Sequence, residues 1–63
     1  MAEHLLTVRE LANAWNTSEW FIYERIRRGE LRAVKVGRGR RIRPADARAY
    51  LERTEAEYSQ EPA

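Results

Sequence analysis

Residues 25–43 hold nine of the twelve Lys and Arg in this 63-residue chain, and only one acid, Glu30. Eight of the nine are Arg. An Arg guanidinium offers a planar fork of N–H donors that matches phosphate oxygens and guanine edges in pairs. Residues 1–24 carry one base and four acids, a net charge of −3, and residues 44–63 carry two bases and five acids, again −3. The middle is +8 within a chain whose total is +2. A basic middle between acidic flanks sets one surface apart for a polyanion.

Residues for other chemistry are sparse. Without cysteine the chain has neither a disulfide nor a thiolate metal site. The single histidine, His4, lies near the N-terminus. The carboxylates fall on separate predicted helix surfaces, with no spacing that suggests a metal cage. Gly37-Arg38-Gly39 lacks the length, the Lys-Ser/Thr ending and the strand–helix context of a phosphate loop. The expectation is a protein that is not an enzyme and holds no metal or cofactor. No apolar run approaches the roughly 20 residues that span a bilayer, and no signal-peptide pattern opens the chain. A cytoplasmic protein without a membrane partner is expected.

The elements that must position the basic stretch can be read from caps and periodicity. Thr7 followed by Glu10 is a capping box. Val8, Leu11, Ala12 and Trp15 then recur at helical spacing on one face, with Leu5 and Leu6 placed to pack back onto it. Asn16 suits a left-handed bend after this helix. Ser18 is a good N-cap for a second helix over 19–28, Glu19 favours its positive end, and Gly29 stops it. Two helices joined by a turn of about three residues form a helix-turn-helix. Ile22 and Ile26 give the second helix its core stripe. Trp20, Glu24 and Arg27 point away from that stripe, with Tyr23 and Arg28 at its flanks.

Two short alternating runs, Ala33–Val36 and Arg40–Arg43, then flank a turn at Gly37-Arg38-Gly39. The alternation predicts Val34, Val36 and Ile42 inward and Lys35, Arg41 and Arg43 outward. Glycines at both ends of the turn permit positive φ. An isolated two-stranded hairpin is not stable, so this one must lie on the helices. Pro44 and Asp46 open a third helix to about residue 57, with Ala47, Tyr50, Leu51 and Thr54 on its inner face. The fold class is α+β: a small winged helix-turn-helix, three helices with a two-stranded antiparallel wing. The domain runs over 5–57, with flexible termini at 1–4 and 58–63.

A helix fits the major groove of B-DNA, where Arg pairs with guanine, and the second helix of a helix-turn-helix enters it N-terminus first. Trp20, Tyr23, Glu24 and Arg27 are what the groove would meet. Glu24 either accepts from a cytosine amino group or holds a neighbouring Arg, and Tyr23 donates to a phosphate. The wing tip, Arg38, with Gly37 and Gly39 permitting close approach, would enter a minor groove or grip its phosphates. Lys35, Arg40 and Arg41 would neutralise phosphates along the way. The capping residues Thr7 and Ser18, together with Glu19 and Arg28, complete the expected DNA-contact set. An exposed tryptophan marks an interface, which makes Trp20 and Phe21 candidates for protein contacts as well.

The order LLTVRELANAW, then TSEWFIYERIRRGELRAVKVGRGRRIRPADARAYL, resembles the excisionase-type DNA-binding domain, a relative of the MerR winged-helix group. The resemblance covers residues 5–52. It implies a winged helix-turn-helix with Ser18, Tyr23 and Arg27 on or near the groove and Arg38 and Arg40 on the wing. Glu19 and Glu24 depart from it, since bases are common at those positions, and Asn16 stands where a small residue is usual. A chain this short leaves no room for an effector domain, which favours a stand-alone phage excisionase. Such a recombination directionality factor binds and bends attachment-site DNA and steers an integrase toward excision. A small transcriptional regulator of the same fold is the alternative, and a protein-interaction adaptor is an alternative of another class. The implied partners are double-stranded DNA, a phage integrase and further copies of the chain on tandem DNA sites. The implied location is the nucleoid of a bacterial host.

Overall fold

The computed structural model describes residues 4–59, with side chains over 4–55. Strand β1 (Leu6–Thr7) leads into helix α1 (Val8–Ala14), followed by α2 (Glu19–Arg27), β2 (Val34–Val36), β3 (Gly39–Ile42) and α3 (Pro44–Ser59). The helix ends follow local chemistry. Thr7 Oγ1 accepts from the Glu10 N–H at 2.9 Å, and the Thr7 N–H donates to the Glu10 carboxylate at 2.9 Å, which closes the expected capping box. At the other end of α1, Asn16 takes φ +55°, while Asn16 and Thr17 donate to the Asn13 and Ala12 carbonyls. That is the paired closure of a left-handed helix cap. The end of α2 repeats it: Gly29 has φ +78°, and Gly29 and Glu30 donate to Ile26 and Arg25. Pro44 opens α3, and the Arg43 carbonyl accepts from Asp46 and Ala47.

Seven residues form the core: Val8, Leu11 and Ala12 from α1, Ile22 from α2, Leu31 after it, Ile42 from β3 and Ala47 from α3. Ile22 and Ile42 are fully buried, each worth about 1.5–3 kcal/mol against exposure. Trp15 and Tyr50 stack at 5.3 Å between ring centroids and tie α3 to the end of α1. Leu6, Phe21, Ile26 and Ala33 pack around this centre. Phe21 is therefore half-buried rather than exposed, and the Arg25 guanidinium lies 4.8 Å over its ring. Leu51, expected on the inner face of α3, is 45% exposed. Helix α3 runs through Ser59, two residues past its expected end. Of the termini expected to be flexible, residues 1–3 and 60–63 lie outside the described residues, and His4 is exposed.

The sheet differs from expectation in two ways. It has three strands in the order β1-β3-β2, because Leu6 and Thr7 pair antiparallel with Ile42 and Arg41. This extra strand ties the wing to the start of α1. The second difference is register. Val34 pairs with Arg41, Lys35 with Arg40 and Val36 with Gly39. Directly opposed residues share a face, so Val34, Val36 and Arg41 lie on one side and Lys35, Arg40 and Ile42 on the other. The expected inward set of Val34, Val36 and Ile42 is thus split. So is the expected outward pair of Lys35 and Arg41, and Val36 is 47% exposed. The cause is loop length. The turn is two residues, Gly37-Arg38, with φ +62° at Gly37 alone, the pattern of a type II′ turn. Gly39 has no positive φ and belongs to β3.

Candidate nucleic-acid interface

Ser18 Oγ accepts from the Phe21 N–H at 3.1 Å and starts α2 with Trp20 and Tyr23 turned to solvent, 69% and 47% exposed. Arg27 lies one turn on from Tyr23 and is also exposed. Glu19 reaches across the turn to Arg9 of α1 at 3.5 Å, so its charge is shared with the helix behind it. The half-buried side of α2 holds Phe21 and Ile26 to the core.

The cations of α2 meet carboxylates. Glu24 binds Arg27 edge to edge, with Nε donating to Oε2 at 3.1 Å and Nη2 donating to Oε1 at 2.9 Å. Arg28 lies 4.0 Å from both Glu24 and Glu30, and Arg25 Nη1 donates to Glu30 at 3.4 Å. The Glu24 carboxyl is held below its ordinary range, first by the hydrogen bond from Arg27, and the Arg27 guanidinium is raised by the same bond. Of Glu24's two expected roles, this geometry realises the second: it holds a neighbouring Arg. From α3, Arg53 Nη2 donates to the Glu30 carbonyl at 2.6 Å, bracing the exit of α2.

The wing is electrically different. Among the described residues no carboxylate lies within salt-bridge distance of Lys35, Arg38 or Arg40. Lys35 and Arg40 share the Ile42 face but lie closer to the tip, where they are exposed. Arg38 occupies the exposed turn. Arg40 meets Tyr23, Ile26 and Arg27 around an open cleft of about 480 Å³ between helix and wing. Ile26 was not among the expected contact residues, although its place between Tyr23 and Arg27 could have suggested it.

Arg41 and Thr7 do not join this cleft. They pair on the opposite face of the sheet. Arg41 lies along that face, its Nη1 only 2.8 Å from where a Cβ at Gly39 would stand, and it donates to the Arg40 carbonyl at 3.3 Å. A side chain at Gly39 would displace it. Thr7 is taken up by the capping box, whose Glu10 carboxyl is held below its ordinary range, first by the Thr7 N–H. The structure therefore brings Tyr23, Arg27 and Arg40 together, leaves Trp20, Lys35 and Arg38 exposed, and parts Arg41 and Thr7 from them. Among the described residues no helix is long and apolar enough to cross a membrane.

A solvent-facing second helix flanked by an exposed basic hairpin defines a winged helix-turn-helix, an architecture for gripping duplex DNA. The chain belongs to the helix-turn-helix domain family, whose model matches residues 5–55, and it is a DNA-binding domain of that kind. No curated protein and no solved structure matches it.

Proposed function

We propose that this protein is a DNA-binding excisionase, a recombination directionality factor that binds and bends attachment-site DNA so that an integrase excises rather than inserts. The excisionase assignment draws on the residue order over 5–52. The observation that carries the docking is the cleft between α2 and the wing, where Tyr23, Arg27 and Arg40 converge beside Lys35 and Arg38, which have no carboxylate partner among the described residues. In this reading α2 lies in the major groove, with Trp20, Tyr23 and Arg27 toward base edges and one phosphate strand. Lys35 and Arg40 neutralise phosphates of the strand passing between helix and wing, and Arg38 reaches the adjacent minor groove. The protein breaks no bond itself. It shapes DNA for a partner that does, and further copies add along tandem sites.

The test places purified protein and the integrase from the same genome on attachment-site DNA. The proposal expects salt-dependent binding, altered mobility in a circular-permutation bending assay and a rise in excision product. Binding without bending or any effect on integrase products would assign the domain to transcriptional regulation instead. Affinity that does not fall with salt would point to the adaptor reading, because phosphate contacts release counterions.

A further inference from the structure

We infer that Glu24 is a positioning residue that makes Arg27 a reader of guanine. The inference rests on the reading that α2 enters the major groove. A guanidinium has five N–H donors on a rigid plane. Glu24 consumes two of them, the Nε and one Nη2 hydrogen. The edge formed by Nη1 and the remaining Nη2 hydrogen is left, and that edge can donate in parallel to O6 and N7 of one guanine. The exposures fit this direction: the Glu24 side chain is 19% exposed and the Arg27 side chain 68%. The carboxylate sits on the protein side of the pair and the guanidinium on the solvent side.

Glu24 is itself held. Both carboxylate oxygens engage Arg27, and Arg28 Nε lies 4.0 Å from Oε1. Its oxygens point into this pair, so a direct reading of cytosine by Glu24 would need the fork to break. An acid on a DNA-facing helix repels phosphate. Here that repulsion is useful, because it disfavours capture of Arg27 by the backbone, where it would carry no sequence information.

The test compares wild type, Glu24→Ala, Glu24→Gln, Arg27→Ala and the Glu24→Ala/Arg27→Ala double variant at matched salt. Each is titrated against a bound DNA site substituted at every base pair and against the same site carrying 7-deazaguanine, which lacks N7. Arg27→Ala should lose about tenfold or more of discrimination at one guanine, within the range of a paired Arg–guanine contact. Glu24→Ala should lose discrimination at that same base pair while total affinity holds or rises. Its salt slope should steepen by up to about one as Arg27 turns to phosphate. Glu24→Gln, which keeps one acceptor, should restore part of the preference. The double variant should discriminate no worse than Arg27→Ala, and 7-deazaguanine at that guanine should weaken wild type most, Glu24→Gln less and the two Arg27→Ala chains not at all. Loss at a different base pair, or a further loss in the double variant, would show that Glu24 reads DNA itself. Unchanged discrimination in Glu24→Ala would reduce the pair to a surface contact, and either result overturns the inference. A wild-type chain that binds duplex DNA with no sequence preference would overturn both this inference and the groove reading beneath it.

Discussion

On α2 and its C-cap, Arg25, Arg27 and Arg28 each have a carboxylate within 4.0 Å. On the wing, Lys35, Arg38 and Arg40 have none among the described residues. The two regions carry similar charge in opposite conditions. Unpaired, exposed cations act at a distance on any polyanion and exchange their counterions for phosphate. Paired cations are oriented before DNA arrives and give up little free charge. The contrast assigns attraction to the wing and reading to the helix. The tools differ in local structure as well. A two-residue turn at Gly37 sets the wing cations at an exposed tip, whereas two capped ends fix the helix.

The largest effect to expect concerns what the two regions share. Ile22 anchors α2 and Ile42 anchors the wing, both with 0% exposure in one core. Ile22→Ala and Ile42→Ala should each cost about 2–5 kcal/mol, much of the stability of a small domain. Denaturant melts should show a single transition lost or shifted in each. A variant in which only the wing loosens would mean that the regions are not one unit. Next, Lys35→Ala/Arg38→Ala/Arg40→Ala should lower DNA affinity on the order of 100-fold at about 0.1 M salt, with an unchanged melting temperature. Arg27→Ala should cost about 1–3 kcal/mol at one base pair, read by competition among substituted sites. Ser18→Ala removes the bond to the Phe21 N–H and should destabilise by about 1 kcal/mol, measured by thermal melting.

The smallest effect is one of pH. Glu10 lies below its ordinary value of 4.5 in the folded chain, first because of the Thr7 N–H. A lowered folded value means that its contribution is present above 4.5 and lost as pH falls through the folded value. Melting temperature should therefore drop as pH falls below 4.5, and Glu10→Gln should shrink that drop. An equal drop in the variant would place the acid sensitivity elsewhere, with Glu24 the next carboxylate to replace.

The same contrast marks what the sequence could tell. The helices were legible because their signals are local: Thr7 with Glu10, Ser18, Asn16 and Gly29 each act within a few residues of themselves. The exposure of Trp20 followed from the 100° step of a helix. The wing existed in the sequence, but its register did not. Reading Gly37-Arg38-Gly39 as a three-residue turn set Val36 against Arg40. The two-residue turn sets it against Gly39, and one residue of slip exchanges faces. Arg40 reaches the cleft because it shares the Ile42 face of β3, and Arg41 between them takes the other face. Strand β1 was illegible for another reason: two residues carry no periodicity, and Leu6 and Thr7 are extended by pairing with β3. Leu51 lies exposed while α3 meets the core through Ala47 and the Tyr50–Trp15 stack. No pattern within one helix specifies that partner.

The division of labour between wing and helix is tested most directly by the slope of log affinity against log salt, measured for wild type, the triple wing variant and Arg27→Ala on one duplex. The account expects the triple variant to lose about 2–3 in slope, near 0.9 for each phosphate contact removed, with base preferences unchanged. Arg27→Ala should keep its slope within about one of wild type and relax preference at a single base pair. A triple variant with the wild-type slope, or an Arg27→Ala chain whose slope falls as far as the wing variant's, would contradict it.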